Sequence, residues 1–171
     1  MTLVQHDPVA SAAQVAQLDG LSALRAMMAG ELPPPPFGVL LGMEPIEVEY
    51  GRVVFAVVPG EHHYNPIGMV HGGLAATLID SATGCAVHST LLAGTGYTTT
   101  DIQVRYVRPI SRDTGRILCE GTVVHRGRRL ATAEARVTAG DTLLAHGTAS
   151  VLILPSDART ASTAPPASAS G

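Results

Sequence analysis

The sequence predicts an α+β domain in which an antiparallel sheet of five or six strands curls around one long central helix. Three observations lead there. A helical run of about five turns follows the stretch "NPIGMVHGG" (65–73). Strand-like segments with short turn signals between them flank that run, so successive strands are expected to be antiparallel neighbours. A single long helix that is apolar on nearly every side is covered only if such a sheet wraps it.

The elements follow in order. Residues 1–15 are small and polar with no strong period, and read as a loose arm. Over Leu18–Ala29 the residues Leu18, Leu21, Leu24, Arg25 and Met28 recur at three- and four-residue spacing, as in a short amphipathic helix. Gly30 and Pro33–Pro36 end it and hold an extended connector, so that 16–37 forms one unit. The main domain is read as 38–155. Ile46–Tyr50 and Val53–Val58 flank Gly51-Arg52 as a hairpin, and Thr98–Val107, Gly115–His125, Leu130–Ala139 and Leu143–Leu154 follow the helix. The turns "RPISRD", "RGRR" and "AGD" separate these last four. In "DIQVRYV", Ile102, Val104 and Tyr106 face one way and Asp101, Gln103 and Arg105 the other. The tail 156–171, mostly Ala, Ser, Thr and Pro, is expected to be disordered.

On the long helix, Leu74, Ala75, Leu78, Ile79, Ala82, Cys85 and Ala86 make one broad apolar face. The other face holds Gly73, Ala76, Thr77, Asp80, Thr83, Gly84 and Val87, small residues except for Asp80 and Val87. Burying a carboxylate is costly unless it is paired or used. The sequence has cleared space around this one acid.

Composition narrows the function. The 171 residues suit one domain with a real core, at 46% hydrophobic and 15% charged. Aromatics are 4% and Trp is absent, which disfavours base-stacking nucleic-acid platforms. The net charge of −3 attracts no phosphate polymer. All eleven basic residues are Arg, and eight lie between Arg105 and Arg136 against Asp113, Glu120 and Glu134. That local excess favours a small anionic ligand. Cys85 and Cys119 are far apart with no CxxC, which supports neither a disulfide framework nor a zinc site and fits a reducing cytosol. With no secretory signal and no apolar run of spanning length, the expectation is a soluble cytoplasmic protein without nucleic-acid or membrane partners.

Asp80 is either an acid satisfied by Thr77, Thr83 or an Arg, or a working group. "HGG" at the helix start supplies free backbone N–H groups and the positive dipole end, where an oxyanion can be held. The two lie about 12 Å apart along the helix axis, so a substrate chain or a second subunit must bridge them. Asn65 could position a water or a carbonyl, or serve turn chemistry in Asn-Pro, while His71 could orient the loop. His62 and His63, adjacent in a segment read as extended, would point to opposite faces, so no metal is expected. GxSxG, GxGxxG and P-loop signatures are absent, and Cys85 reads as a packing residue. The turn Arg126, Gly127, Arg128, Arg129 is either a solvated tip or a phosphate clamp, which Arg105, Arg108 and Arg112 could join.

These residues resemble a known family. "NPIGMVHGG", "LIDSATG", "TTTDIQVRYVRPI" and "VVHRGRRLATAEARV", in one order from about Gly38 to Leu154, are similar to the hotdog-fold acyl-CoA thioesterases. The nearest branch is the PaaI type, which includes phenylacetyl-, hydroxybenzoyl- and dihydroxynaphthoyl-CoA thioesterases. The resemblance implies a homodimer with a continuous sheet, expected here as a homotetramer, and active sites at the dimer interface. It implies that Gly72 donates its N–H to the thioester carbonyl, with Gly73 beside it, that Asp80 is the catalytic acid, and that Asn65, His71 and Thr99 complete the site. Thr98 and Thr100 compete with Thr99 for its role. Arg108, Arg126, Arg128 and Arg129 are the candidate CoA-binding residues. No cofactor or metal is expected, CoA being part of the substrate. The reaction expected is hydrolysis of an aryl- or medium-chain acyl-CoA, with Asp80 as general base or as nucleophile. The alternatives are an acyl-CoA-binding module that releases no thiol and a hotdog-fold enoyl-CoA hydratase.

Overall fold

The computed structural model describes residues 7–154. A six-stranded antiparallel sheet, in the order β1-β2-β4-β5-β6-β3, wraps the helix α4 (Gly72–His88). The strands are β1 (Glu44–Glu49), β2 (Arg52–Val57), β3 (Gly96–Tyr106), β4 (Ile117–Arg126), β5 (Leu130–Ala139) and β6 (Thr142–Leu154). This is the hotdog fold that the sequence predicts.

Leu74, Leu78, Ile79 and Ala82 of α4 are buried against Val53, Phe55, Ile117, Cys119 and Val137 of the sheet. Two strand positions admit no side chain, one because the helix backbone lies against it and one because the neighbouring strand β3 does. A Cβ on Gly121 would collide with the Ala82 backbone, and one on Gly147 would strike the Gln103 carbonyl and lie 3.1 Å from Ile79 Cγ2. Thr83, also buried, turns its hydroxyl inward to donate to the Ile79 carbonyl at 2.8 Å.

Strand order corrects one expectation. β3 is not the neighbour of β4, although only a short segment connects them. It pairs with β6, from Gly96 against Leu154 to Tyr106 against Ala145. β4, β5 and β6 form a meander that places β6 last, and β3 adds to its free side. β1 and β3 are therefore the sheet edges. At the β1 edge, Arg52 ties the first three strands through Glu47 at 2.8 Å and Glu120 at 2.7 Å.

The N-terminal part also departs from the reading of 1–15 as a loose arm. Pro8–Val15 is a helix, α1, with Pro8 in its first turn and Asp7 as N-cap accepting from the Val9 amide at 2.8 Å. An Asp-Pro start compensates for weak periodicity. Residues 1–6 and the tail expected at 156–171 lie outside the described residues. The amphipathic helix is α2 (Gly20–Met28), capped by Asp19, with Leu24 buried in the core. It is fastened to α4's end by Gly20 N–H to the Leu91 carbonyl at 2.9 Å, and to β1 by Arg25 Nε to the Val48 carbonyl at 3.2 Å. The proline connector ends one residue earlier than expected, because Pro36 opens a short helix, α3 (Pro36–Leu40). Among the described residues no helix is long and apolar enough to cross a membrane.

Candidate active site

The loop before α4 is pinned residue by residue. Asn65 Oδ1 accepts from the Ile67 and Met69 amides, both at 3.1 Å, and the Asn65 amide donates to the Met69 carbonyl at 2.8 Å. The carbonyl side of Asn65 thus does the turn chemistry that Asn-Pro-x-Gly suggests. His71 N–H donates to the His63 carbonyl at 2.7 Å, and Val70 N–H to the Ile110 carbonyl at 3.2 Å.

His71 is the N-cap of α4. Its Nδ1 accepts from the Gly73 amide at 2.8 Å, and its backbone carbonyl accepts from the Leu74 amide at 3.0 Å. An imidazole that accepts at Nδ1 carries its proton on Nε2, so exposed His71 presents an N–H outward. The Gly73 and Leu74 amides are thereby occupied. The Gly72 amide makes no hydrogen bond among the described residues, and it stands at the positive end of the helix dipole. Tyr106 fixes that glycine from the other side: its hydroxyl donates to the Gly72 carbonyl at 3.1 Å, and its ring would lie 3.1 Å from a Cβ there.

Asp80 lies in the middle of α4 and is exposed in the protomer. The premise of a buried acid is corrected: the sheet wraps the opposite side of the helix, and the small residues near Asp80 leave it open. Its partner is neither Thr77 nor Thr83. Thr99 Oγ1 of β3 donates to Asp80 Oδ1 at 2.8 Å. A bulge at Thr100 separates the three threonines. Thr100 Oγ1 turns to the Ser150 carbonyl at 3.1 Å, while Thr98 is exposed. Beside the Asp80–Thr99 pair opens an apolar cavity of about 280 Å³, walled by Phe37, Phe55, Gly84, Cys85 and Tyr97.

Burial pushes the thiols of Cys85 and Cys119 up to about 12, so neither is a thiolate nucleophile at neutral pH. The adjacent histidines do not point apart as an extended segment would require. They occupy a 3-10 turn, Glu61–His63, with ring centroids 3.9 Å apart. Both His63 nitrogens are used, Nδ1 by the Gly60 amide at 2.9 Å and Nε2 against the Leu41 carbonyl at 3.1 Å. Among the described residues no three His, Cys, Asp or Glu side chains converge on a metal position.

The arginines fall into two groups. Arg108 follows β3 at the end near Gly72 and donates to the Leu143 carbonyl at 2.8 Å. Arg126, Arg128 and Arg129 form the exposed β4–β5 turn, where the Arg129 carbonyl accepts from Ile153 N–H, beside the start of β3. Because β3 pairs with β6 in antiparallel register, the two groups occupy opposite ends of β3. The single clamp expected from "RGRR" and "VRYVRPISR" therefore does not form within one protomer.

Comparison with known proteins agrees with this fold. The thioesterase superfamily model matches residues 67–146. Human acyl-coenzyme A thioesterase 13 is 31% identical over 99 residues, 57% of this chain and 69% of that protein. A Halobacterium salinarum protein with an ascribed esterase activity is 41% identical over 93 residues, 53% of this chain; the chain spans only about 56% of that relative's length. The structure of a mutant of the phenylacetic acid degradation protein PaaI of Thermus thermophilus superposes with a TM-score of 0.63 at 27% identity, covering 68% of this chain and 97% of that one. With the helix wrapped by the antiparallel sheet, these matches place the chain in the thioesterase superfamily, on the hotdog fold.

Proposed function

We propose that the protein hydrolyses an acyl-CoA thioester to the free acid and CoA, at a site shared between two copies of the chain. The observation that carries this is the Asp80 carboxylate, held by Thr99 at the mouth of an apolar cavity on an otherwise open helix face. The unpaired Gly72 amide is the matching oxyanion donor. It lies about 12 Å away on the same helix, so the amide that faces a given Asp80 comes from a second copy. The exposed edge strand β3, with Ile102 and Tyr106 uncovered, supplies the surface on which that copy pairs.

Asp80 takes a proton from water as the oxygen attacks the thioester carbonyl carbon. The carbonyl oxygen becomes an oxyanion held by the partner subunit's Gly72 N–H, a contact of a kind worth about 3 kcal/mol. The C–S bond breaks, and the departing sulfur takes up the proton to leave CoA as the free thiol. Direct attack by Asp80, giving an anhydride that water then opens, reaches the same products. The appearance of solvent ¹⁸O in the Asp80 carboxylate after one turnover identifies that second path. Asn65 and His71 shape the donor loop, and the two arginine groups are candidate contacts for CoA phosphates. The chemistry calls on no metal or further cofactor. A thioester substrate and two free cysteines suit a reducing cytoplasm, with a homodimer as the minimum unit and a homotetramer as the expected assembly.

Two variants test the shared site. Asp80→Ala should lower turnover about 10²- to 10⁴-fold. Gly72→Pro removes the amide proton at the first helical position, where the backbone of His71 (φ −61°, ψ 130°) suits a following proline, and Gly72→Ala, which crowds the Tyr106 ring equally but keeps the amide, is its control. Gly72→Pro should cost about 10²- to 10³-fold. Asp80→Ala and Gly72→Pro are each inactive alone, but mixed dimers formed by co-refolding should regain roughly a quarter of wild-type activity, since one of two sites is intact in half the dimers. No recovery would place both groups of a site in one chain, and near-normal turnover by Asp80→Ala would remove the acid from the mechanism.

A further inference from the structure

The cavity beside Asp80 does not end there. It shares Met27, Pro34, Pro35, Cys85 and Tyr97 with a second cavity of about 490 Å³, which continues along α4 to His88 and under α1 to Ala12 and Val15. From Asp80 to His88 the helix advances about 12 Å. Three of the five shared residues belong to the N-terminal part of the chain, outside the 67–146 match to the thioesterase superfamily. The roof over this face of α4 is thus built by residues outside that match.

Resting on the thioesterase reading of Asp80, we infer that the joined cavities are the acyl channel and that its ligand is an unbranched aliphatic acyl chain of about ten carbons or more. Length and volume agree. An extended chain advances about 1.2 Å per bond, a third of the 3.6 Å of an extended residue, so 12 Å takes roughly ten bonds. An apolar cavity of about 150 Å³ holds benzene, so the nearer 280 Å³ alone takes roughly eleven carbons. The walls are suited to hydrocarbon. Tyr97 and Cys85 meet at the junction, and the residues around them there, Met27, Pro34 and Pro35, are apolar. Met27 at the junction decides how far a chain can pass, and Ala12 and Val15 line the far end.

The test is the thiol-release rate over acetyl-, hexanoyl-, decanoyl-, tetradecanoyl-, phenylacetyl- and 4-hydroxybenzoyl-CoA. Each buried methylene favours binding about fourfold, so kcat/KM for decanoyl-CoA should exceed that for acetyl-CoA at least tenfold and surpass both aryl substrates. Met27→Trp, which plugs the junction, should lower kcat/KM for decanoyl-CoA at least tenfold more than it lowers kcat/KM for hexanoyl-CoA. Ala12→Trp, at an exposed position that does not threaten folding, should reduce only tetradecanoyl-CoA turnover. An aryl-CoA as best substrate, or equal losses on every chain length in both variants, overturns the channel. Calorimetric titration with decanoic acid separates this inference from the hydrolytic one. Binding that Met27→Trp weakens, without thiol release from any substrate, keeps the channel and rejects the hydrolase; turnover of short chains without decanoic acid binding does the reverse.

Discussion

Thr99 holds the Asp80 carboxylate through one hydrogen bond of 2.8 Å, and its effect should show in catalysis more than in stability. Thr99→Val removes a hydrogen bond to a charged group, worth about 1.5–3 kcal/mol, which corresponds to at least about a tenfold fall in kcat. Thr99→Ser should restore most of it, while KM stays near wild type. An effect confined to KM would make Thr99 a substrate contact and not a positioning residue. Three threonines in a row gave the sequence no means of choosing among them, because the choice is made by which strand face meets α4: Thr99 reaches Asp80, Thr98 stays exposed, and Thr100, in the bulge, turns to the Ser150 carbonyl. Tyr106 was visible as a strand residue and as part of the quoted motif "TTTDIQVRYVRPI", with no role assigned to it. Its hydrogen bond to the Gly72 carbonyl depends on β3 and the start of α4 meeting in space, which no local pattern reports. His63 makes a second residue-scale prediction. Burial first, and the charge of His62 second, lower its pKa below the ordinary 6.5. The unfolded chain therefore takes up a proton that the folded chain refuses. Stability contributed by neutral His63 is fully present above about pH 6.5 and falls as pH drops from 6.5 toward the lower folded value. Urea midpoints of wild type and His63→Gln, measured between pH 7.5 and 5, should converge on the acid side; parallel curves would reject this role. Because the His63 carbonyl accepts from His71 N–H, the same loss should loosen the loop that presents Gly72.

At the scale of elements, α4 and the sheet are matched through absent side chains. Gly121 lets the helix backbone lie against the strand, and Gly147 lets β3 approach β6 beneath Ile79. Gly121→Ala forces the two apart and should destabilise by about 3 kcal/mol, lowering Tm by about 10 °C for a chain of this size. A thermal midpoint within 2 °C of wild type would show that the helix can shift freely. The element pattern itself was well exposed in the sequence. Leu130–Ala139 and the long helix are read correctly because period-two and period-3.6 patterns are local and strong. The curl of the sheet followed from one helix needing cover on most sides. Three things were not readable. α1 lacks periodicity and is set by its Asp7-Pro8 start. The β3–β6 pairing joins segments about fifty residues apart. The exposure of Asp80 depends on which side of the helix the sheet chooses, and an apolar residue count does not decide that.

For the whole molecule, the strand order has a consequence for how the chain is made. β3 follows α4 directly, yet its partner β6 is the last strand, so Gly96 waits for Leu154. While the chain grows from its N-terminus, the apolar helix and the bare strand after it exist for more than forty residues of synthesis before the segment that closes the sheet arrives. Closing so long a loop is slow, and unpaired strand edges bind one another in the meantime. The same edge of β3 that awaits β6 on one side remains open on the other for a second copy. In the dimer proposed above, birth order thus sets assembly order: a nascent chain can offer β3 to a second copy only after β6 has paired with it.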